Sequence, residues 1–223
     1  LPRTLQDFLL QTSILTRMNA TVCQMVTAVP DEPACQQMLE ELERTNLFVV
    51  PLDERRQWYR FHDLFREALR ARLQASQPEL LPLLHLRAAR FYEARGEWQE
   101  AITHALAAPG YPYAARLTEL AAPALWLSGE ARTVHTWVFS LPDAILRAYI
   151  HLALGAALRF VNSVNLGNET LYVGMQIQVE QTFSRMDGIL RRKRELSLSD
   201  AEVALIQRRL LLLRALIEAR EVV

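Results

Sequence analysis

Leu47-Phe48-Val49-Val50-Pro51-Leu52 and Trp58-Tyr59-Arg60-Phe61 decide the reading of this sequence, because they are β-prone runs in a chain that otherwise reads as helix. The polar stretch Asp53 to Gln57 separates them, which is the pattern of a hairpin with its loop. Upstream, residues 3 to 14 place Leu5, Phe8, Leu9 and Ile14 at helical spacing, with Thr4 and Asp7 as a capping pair. A short second helix over Ala20 to Ala28 sets Val22, Met25 and Val26 on one face. Pro30-Asp31-Glu32-Pro33 then breaks the chain and opens a third helix that runs to about Thr45. Three helices closed by a two-stranded wing predict a winged helix, and residues 62 to 75 add a helix behind the wing.

Beyond the wing the composition shifts at Gln74 to Pro82, where Pro78 and Pro82 bracket a boundary. The pattern after it is continuous helix. Arg95-Gly96-Glu97 and Ser128-Gly129-Glu130 recur 33 residues apart, close to the roughly 34-residue tetratricopeptide period. Tyr92, Gly96, Ala101 and Ala108 fall where that repeat places a packing aromatic, a tight turn and small residues at the helix crossing. The second unit keeps Ala122 and Gly129 but has Val134 where alanine is usual. A third, irregular unit begins near Pro142, interrupted over Asn162 to Thr170. Residues 171 to 194 and 199 to 221 read as two long helices, the latter opened by the capping box Ser199-Asp200-Ala201-Glu202. The expected fold class is therefore mostly α: a winged-helix domain over 1–76 with a small β-hairpin, then a tetratricopeptide-like α-superhelical array over 77–223. An array ending near Val223 would expose Leu210, Leu213 and Leu216 and could self-associate through them.

Composition excludes several functions. The chain has 223 residues with 25 basic and 25 acidic side chains, so no net charge favours nucleic acid or an anionic membrane. The 2 cysteines, Cys23 and Cys35, imply no disulfide framework and fit a reducing cytoplasm. No run is apolar enough to span a membrane, and the absence of an initial Met and of a leader pattern reads as an internal fragment. The lone lysine, Lys193, sits in Arg191-Arg192-Lys193-Arg194, so a phosphate-binding loop with its Gly-Lys pair is impossible. Catalysis within the chain is not expected, and neither a metal nor a cofactor is.

A winged helix that reads DNA inserts its third helix into the major groove. Here that helix carries Glu40, Glu41 and Glu43 against Arg44, and in the wing Asp53 and Glu54 offset Arg55 and Arg56, so phosphates would be repelled. The basic run at 191–194 reads as a solvated helix end, with a phosphate or acidic-partner contact as the alternative. His85, His104, His135 and His151 read as packing or surface residues, none paired at metal-ligand spacing. His62 differs, because it joins the second wing strand to a helix. There it either donates to an oxyanion or merely caps locally, with Asp63 capping the new helix.

Thr12-Ser13-Ile14-Leu15, Leu39 to Leu42, Asn46-Leu47-Phe48, Pro51-Leu52-Asp53, Trp58-Tyr59-Arg60-Phe61-His62-Asp63-Leu64-Phe65 and His85-Leu86-Arg87-Ala88-Ala89 together resemble the middle of MalT-type, LuxR-class ATP-dependent transcriptional regulators. The resemblance runs from about Phe8 to Pro142 and fades between Val161 and Gly188. These regulators are STAND signal-transduction ATPases. The resemblance implies an N-terminal ATPase, this winged helix, a tetratricopeptide-like sensor and a C-terminal DNA-binding helix-turn-helix. ATP or ADP would belong to the full-length protein, and an inducer or regulatory protein would bind the helical array. It also implies that His62-Asp63 matches a nucleotide-sensing pair whose histidine contacts the β-phosphate of ADP, with Phe61 where a methionine is common.

Overall fold

A computed structural model describes residues 1–27, 29–45, 48–165, 173–192 and 198–218, and within them all side chains except those of 164, 165, 173–176, 213 and 216–218. The chain divides into two compact units, Leu1–Gly110 and Tyr111–Val223. This division by compactness is a different line from the compositional boundary at 76/77. In the first unit the helices that follow Pro78 pack on the winged helix.

The first unit opens with α1 (Arg3–Thr12), α2 (Ala20–Val26) and α3 (Glu32–Arg44). Leu5, Phe8 and Leu9 are buried as their spacing demands. Thr4 and Asp7 do not cap α1, however: Pro2 holds the N-cap position without a side-chain bond, and both expected caps lie inside the helix. Asn19 and Asp31 cap α2 and α3, accepting from the backbone N–H of Val22 and Ala34 at 2.9 and 2.8 Å. In α2, Met25 is exposed, and Cys23 joins Val22 and Val26 in the core. A stripe of residues 22 and 26 can widen to either side, and it widens toward α3, where Cys35 faces Cys23. Both thiols are free and buried. Burial pushes the Cys23 thiol up well above its ordinary range and that of Cys35 to about 11, so both stay protonated.

The hairpin forms as expected, with β1 (Val49–Pro51) antiparallel to β2 (Tyr59–Phe61) in the register Val49↔Phe61, Val50↔Arg60, Pro51↔Tyr59. The wider β-prone run includes Leu47, which lies outside the described residues. Asp53 organises the loop: its carboxylate accepts from the N–H of Gln57 and Trp58 at 3.0 and 2.8 Å, and these bonds, the first foremost, hold it below the usual carboxylate range. The other edge of β2 is closed by Met18, which exchanges 2.8 Å backbone bonds with Tyr59 in both directions. That pairing buries Tyr59 and Met18 completely.

Behind the wing come α4 (Asp63–Ser76), α5 (Leu80–Ala94) and α6 (Trp98–Ala107). The α5–α6 pair is tied to the winged helix by polar contacts. The Arg87 guanidinium donates to the Val26 carbonyl at the end of α2 (3.1 Å), and Arg17 pairs with Glu97 at 2.7 Å while lying over the Trp58 ring.

The second unit holds α7 (Tyr111–Leu127), α8 (Ala131–Ser140), α9 (Asp143–Ala148), α10 (Ile150–Asn165), α11 (Val173–Arg191) and α12 (Asp200–Glu218). Arg185 of α11 satisfies the carbonyls that close α8, donating to Phe139 and Leu141, and pairs with Asp143 at 2.9 Å. The capping box is formed: the Ser199 N–H donates to Glu202 at 2.8 Å and the Glu202 N–H donates back to the Ser199 hydroxyl at 3.3 Å. The expected exposure of Leu210 is wrong. It is buried with Val203 and Ile206, because the i, i+3, i+7 face of α12 turns inward, and Leu205, Leu211 and Leu212 are the exposed apolar residues. The side chains of Leu213 and Leu216 lie outside the described residues, as does part of the interrupted stretch Asn162 to Thr170. Among the described residues the one sheet is β1–β2, and no helix is long and apolar enough to cross a membrane.

Candidate functional site

His62 sits where strand becomes helix, and its backbone is held on both sides. Its N–H donates to the Phe48 carbonyl at 2.8 Å, extending the hairpin ladder past Val49↔Phe61. Its carbonyl accepts the first bond of α4 from Arg66 at 2.9 Å. Its φ and ψ of −60° and 138° are those of an N-cap residue, yet its side chain makes no capping bond. The imidazole is exposed. It is therefore a ring presented to solvent on a fixed backbone, with the ladder and the helix setting its direction.

Asp63 is the first residue of α4, where a carboxylate favours the positive helix end. It does not cap the helix as expected, since His62 occupies the N-cap position. Its carboxylate instead lies 3.9 Å from the guanidinium groups of both Arg60 and Arg66, and its side chain stays 70% exposed. These long, wet contacts leave it available to a further partner.

Alternation along the hairpin builds an outer face around this pair. Val49, Tyr59 and Phe61 point inward and are buried, whereas Phe48, Val50, Leu52 and Leu64 are exposed. Phe48 adopts a positive φ of 55° and sets its ring, tilted, 5.2 Å from Phe65, which in turn meets Phe61 edge-on at 5.9 Å. The surface beside His62 thus carries exposed apolar side chains.

The face of α3 is the electrostatic opposite of a DNA reader. Glu40, Glu41 and Arg44 are exposed, and the wing's Arg56 is drawn to Glu43 at 3.5 Å. Of the basic run, Lys193 and Arg194 lie outside the described residues.

The other histidines lie in the core or at the surface, as expected of packing or surface residues, but two of them meet. His85 on α5 and His104 on α6 are 19 residues apart in sequence, yet their Nδ1 atoms meet at 2.8 Å. Both are 6% exposed, and Tyr92 stacks parallel to His104 at 5.6 Å. Burial lowers His85 to about 4 and His104 to about 3, with the charges of Arg70 on both and of His85 on His104 adding to the effect. Periodicity alone places both inward, but only the crossing of two helices brings the rings together. Among the described residues no group of three ligands forms a metal site. His135 packs between Phe139 and Phe160, bonds the Thr182 hydroxyl at 2.8 Å and is lowered to about 4 by burial. His151 is exposed.

A family model described as the MalT winged helix domain matches residues 1–81. The HTH-type transcriptional regulator MalT of Klebsiella pneumoniae is 42% identical over 103 residues, which are 46% of this chain and 11% of that protein. The MalT proteins of Yersinia pestis and Yersinia pseudotuberculosis are each 45% identical over 101 residues, or 45% of this chain and 11% of theirs. The chain thus matches about a tenth of the length of these curated relatives. The family model describes a winged helix domain, and the relatives matched carry the name of a transcriptional regulator.

Proposed function

Because residues 1–81 form a MalT-type winged helix, we propose that the chain is a non-catalytic regulatory segment of a cytoplasmic, ATP-dependent transcriptional regulator, in which the winged helix couples nucleotide state to effector or protein binding by the helical array. The observation that carries this reading is His62: an exposed imidazole, free of any capping bond, on a backbone fixed by Phe48 and Arg66. In the full-length protein it would donate to the β-phosphate of ADP held by an ATPase domain, with Asp63 beside it, and hold the closed state. ATP or ADP is then the cofactor of the whole protein and the chain itself holds none. A tetratricopeptide-like array would take the inducer or an inhibitory protein, and the DNA-binding domain would lie elsewhere in the parent.

One neutral histidine contributes a hydrogen bond of about 0.5–1.5 kcal/mol, somewhat more to a charged acceptor. That is too little to hold a nucleotide, since even millimolar affinity needs about 4 kcal/mol. It suffices to bias a switch, where 1.4 kcal/mol shifts a ratio about tenfold. His62→Ala in the full-length regulator should therefore weaken ADP retention and raise basal activation, and the isolated chain should show no calorimetric ADP binding. Unchanged ADP affinity and inducer dependence in that variant would reduce His62 to a local helix start. A direct DNA-binding role is disfavoured by the exposed Glu40 and Glu41, and low-salt filter binding by the chain would reveal it.

A further inference from the structure

Within the first unit, α4 and the α5–α6 hairpin enclose a cleft of about 570 Å³ lined by Glu67, Arg70, Leu81, Pro82, His85 and Ala107. Glu67 and Arg70 stand one turn apart on α4 with opposite charges. Neither forms an ion pair among the described residues, with the other or with any third group. His85 supplies the cleft's buried polar group. It is 6% exposed, its Nδ1 is engaged by His104, and its Nε2 makes no hydrogen bond among the described residues. An unpartnered ring nitrogen, a free guanidinium and a free carboxylate thus converge beside an apolar wall of Leu81, Pro82 and Ala107.

We propose that this cleft binds a free α-amino acid with a large apolar side chain. Its carboxylate pairs with Arg70 and accepts from His85 Nε2–H, its ammonium pairs with Glu67, and its side chain lies along Leu81, Pro82 and Ala107. The Nδ1–Nδ1 contact admits two arrangements of its proton, and binding selects the one this needs. One proton lies between the two Nδ1 atoms, so when His104 donates it, His85 carries its own proton on Nε2 and presents a donor to the cleft. A simple carboxylate would meet Glu67 unfavourably and a simple amine would meet Arg70 unfavourably. The zwitterion satisfies both. The site is separate from His62 and stands whether or not His62 senses nucleotide.

The test is calorimetric titration of the chain with L-tryptophan, indole-3-propionate and tryptamine, with ¹⁵N spectra of the histidine rings. L-tryptophan should bind saturably. Each truncated analogue, and each of the exposed-site variants Arg70→Ala and Glu67→Gln, should bind about tenfold more weakly, a loss of about 1.4 kcal/mol. The His85 Nε2 resonance should be that of a protonated nitrogen and should shift on binding. The absence of saturable binding at about 10 mM L-tryptophan, equal binding of indole-3-propionate, or unchanged affinity in both variants would overturn the proposal.

Discussion

At Gly96 and again at Gly129 the chain leaves a helix by the same backbone route. Both glycines take a positive φ, 71° and 84°. In each case the following residue's N–H reaches back five positions, Glu97 to Tyr92 at 3.0 Å and Glu130 to Leu125 at 2.8 Å, while the glycine N–H reaches back three, to Glu93 and to Trp126. This is the Schellman closure. The fillings of the two hairpins differ. The residues 33 positions after His85 and His104 are Thr118 and Trp137, the one after Ile102 is His135, and the one after Ala101 is Val134. Thr118 satisfies itself on the Ala114 carbonyl, and His135 looks to Thr182 of α11 instead of to its own hairpin. A turn is a local object that tolerates any filling. A buried polar group must find its partner wherever the surrounding helices supply one.

The largest expected effect is on acid stability, where the two fillings behave alike. His85, His104 and His135 are lowered to about 4, 3 and 4. Between those values and the ordinary 6.5 the unfolded chain binds more protons than the folded one. The stabilisation is therefore complete above pH 6.5 and is lost as pH falls toward 4, by several kcal/mol in all. Denaturant midpoints between pH 7 and pH 4 check this, and a flat profile would contradict the buried neutral rings.

Breaking the histidine pair should come next. His104→Ala leaves a cavity and an unpaired buried His85, for a loss of about 3 kcal/mol in urea unfolding. His85→Leu with His104→Leu removes both polar partners and should cost less than the sum of the single replacements, a coupling of about 1–3 kcal/mol in a double-mutant cycle.

Exchanging the crossing residues sharpens the comparison. Ala101 is fully buried, so Ala101→Val, which installs what the second hairpin carries at Val134, should overpack α5 against α6 and cost about 1–3 kcal/mol. The reverse change, Val134→Ala, should cost about 2 kcal/mol through lost burial. Equal, negligible costs for both would mean that the crossings are interchangeable.

The smallest effect belongs to the feature the hairpins share. A Cβ at Gly96 or Gly129 would meet nothing within 4 Å, so only the positive φ penalises Gly96→Ala and Gly129→Ala. Each should lose about 1 kcal/mol, by the same amount within error.

Much of the fold was legible because it rests on local rules. The α3 start at Asp31 and the hairpin Val49–Phe61 follow from side chains adjacent in sequence, as do the turns at Gly96 and Gly129 and the capping box at Ser199. The misreadings arose where neighbours compete. Thr4 and Asp7 have capping chemistry but sit inside α1, and Met25 and Cys23 were equivalent choices until α3 took one side of α2. For the candidate site, the sequence marks His62 as a strand-to-helix residue. The free imidazole, the long contacts of Asp63 and the apolar surround of Phe48 and Leu64 had no sequence signal, because exposure is settled by what packs nearby.

The order of elements, the wing, the repeat spacing of the turns and the absence of a phosphate-binding loop could all be read from the residues alone, since each depends on side chains within a few positions of one another. It took tertiary packing to close the far edge of β2 with Met18, to turn Leu210 inward, and to bring the Nδ1 atoms of His85 and His104 to 2.8 Å beside a cleft holding an unpaired Glu67 and Arg70. Those outcomes depend on pairs separated along the chain. Helical periodicity can turn both members of such a pair inward, but only the crossing of the helices brings their atoms within hydrogen-bonding distance.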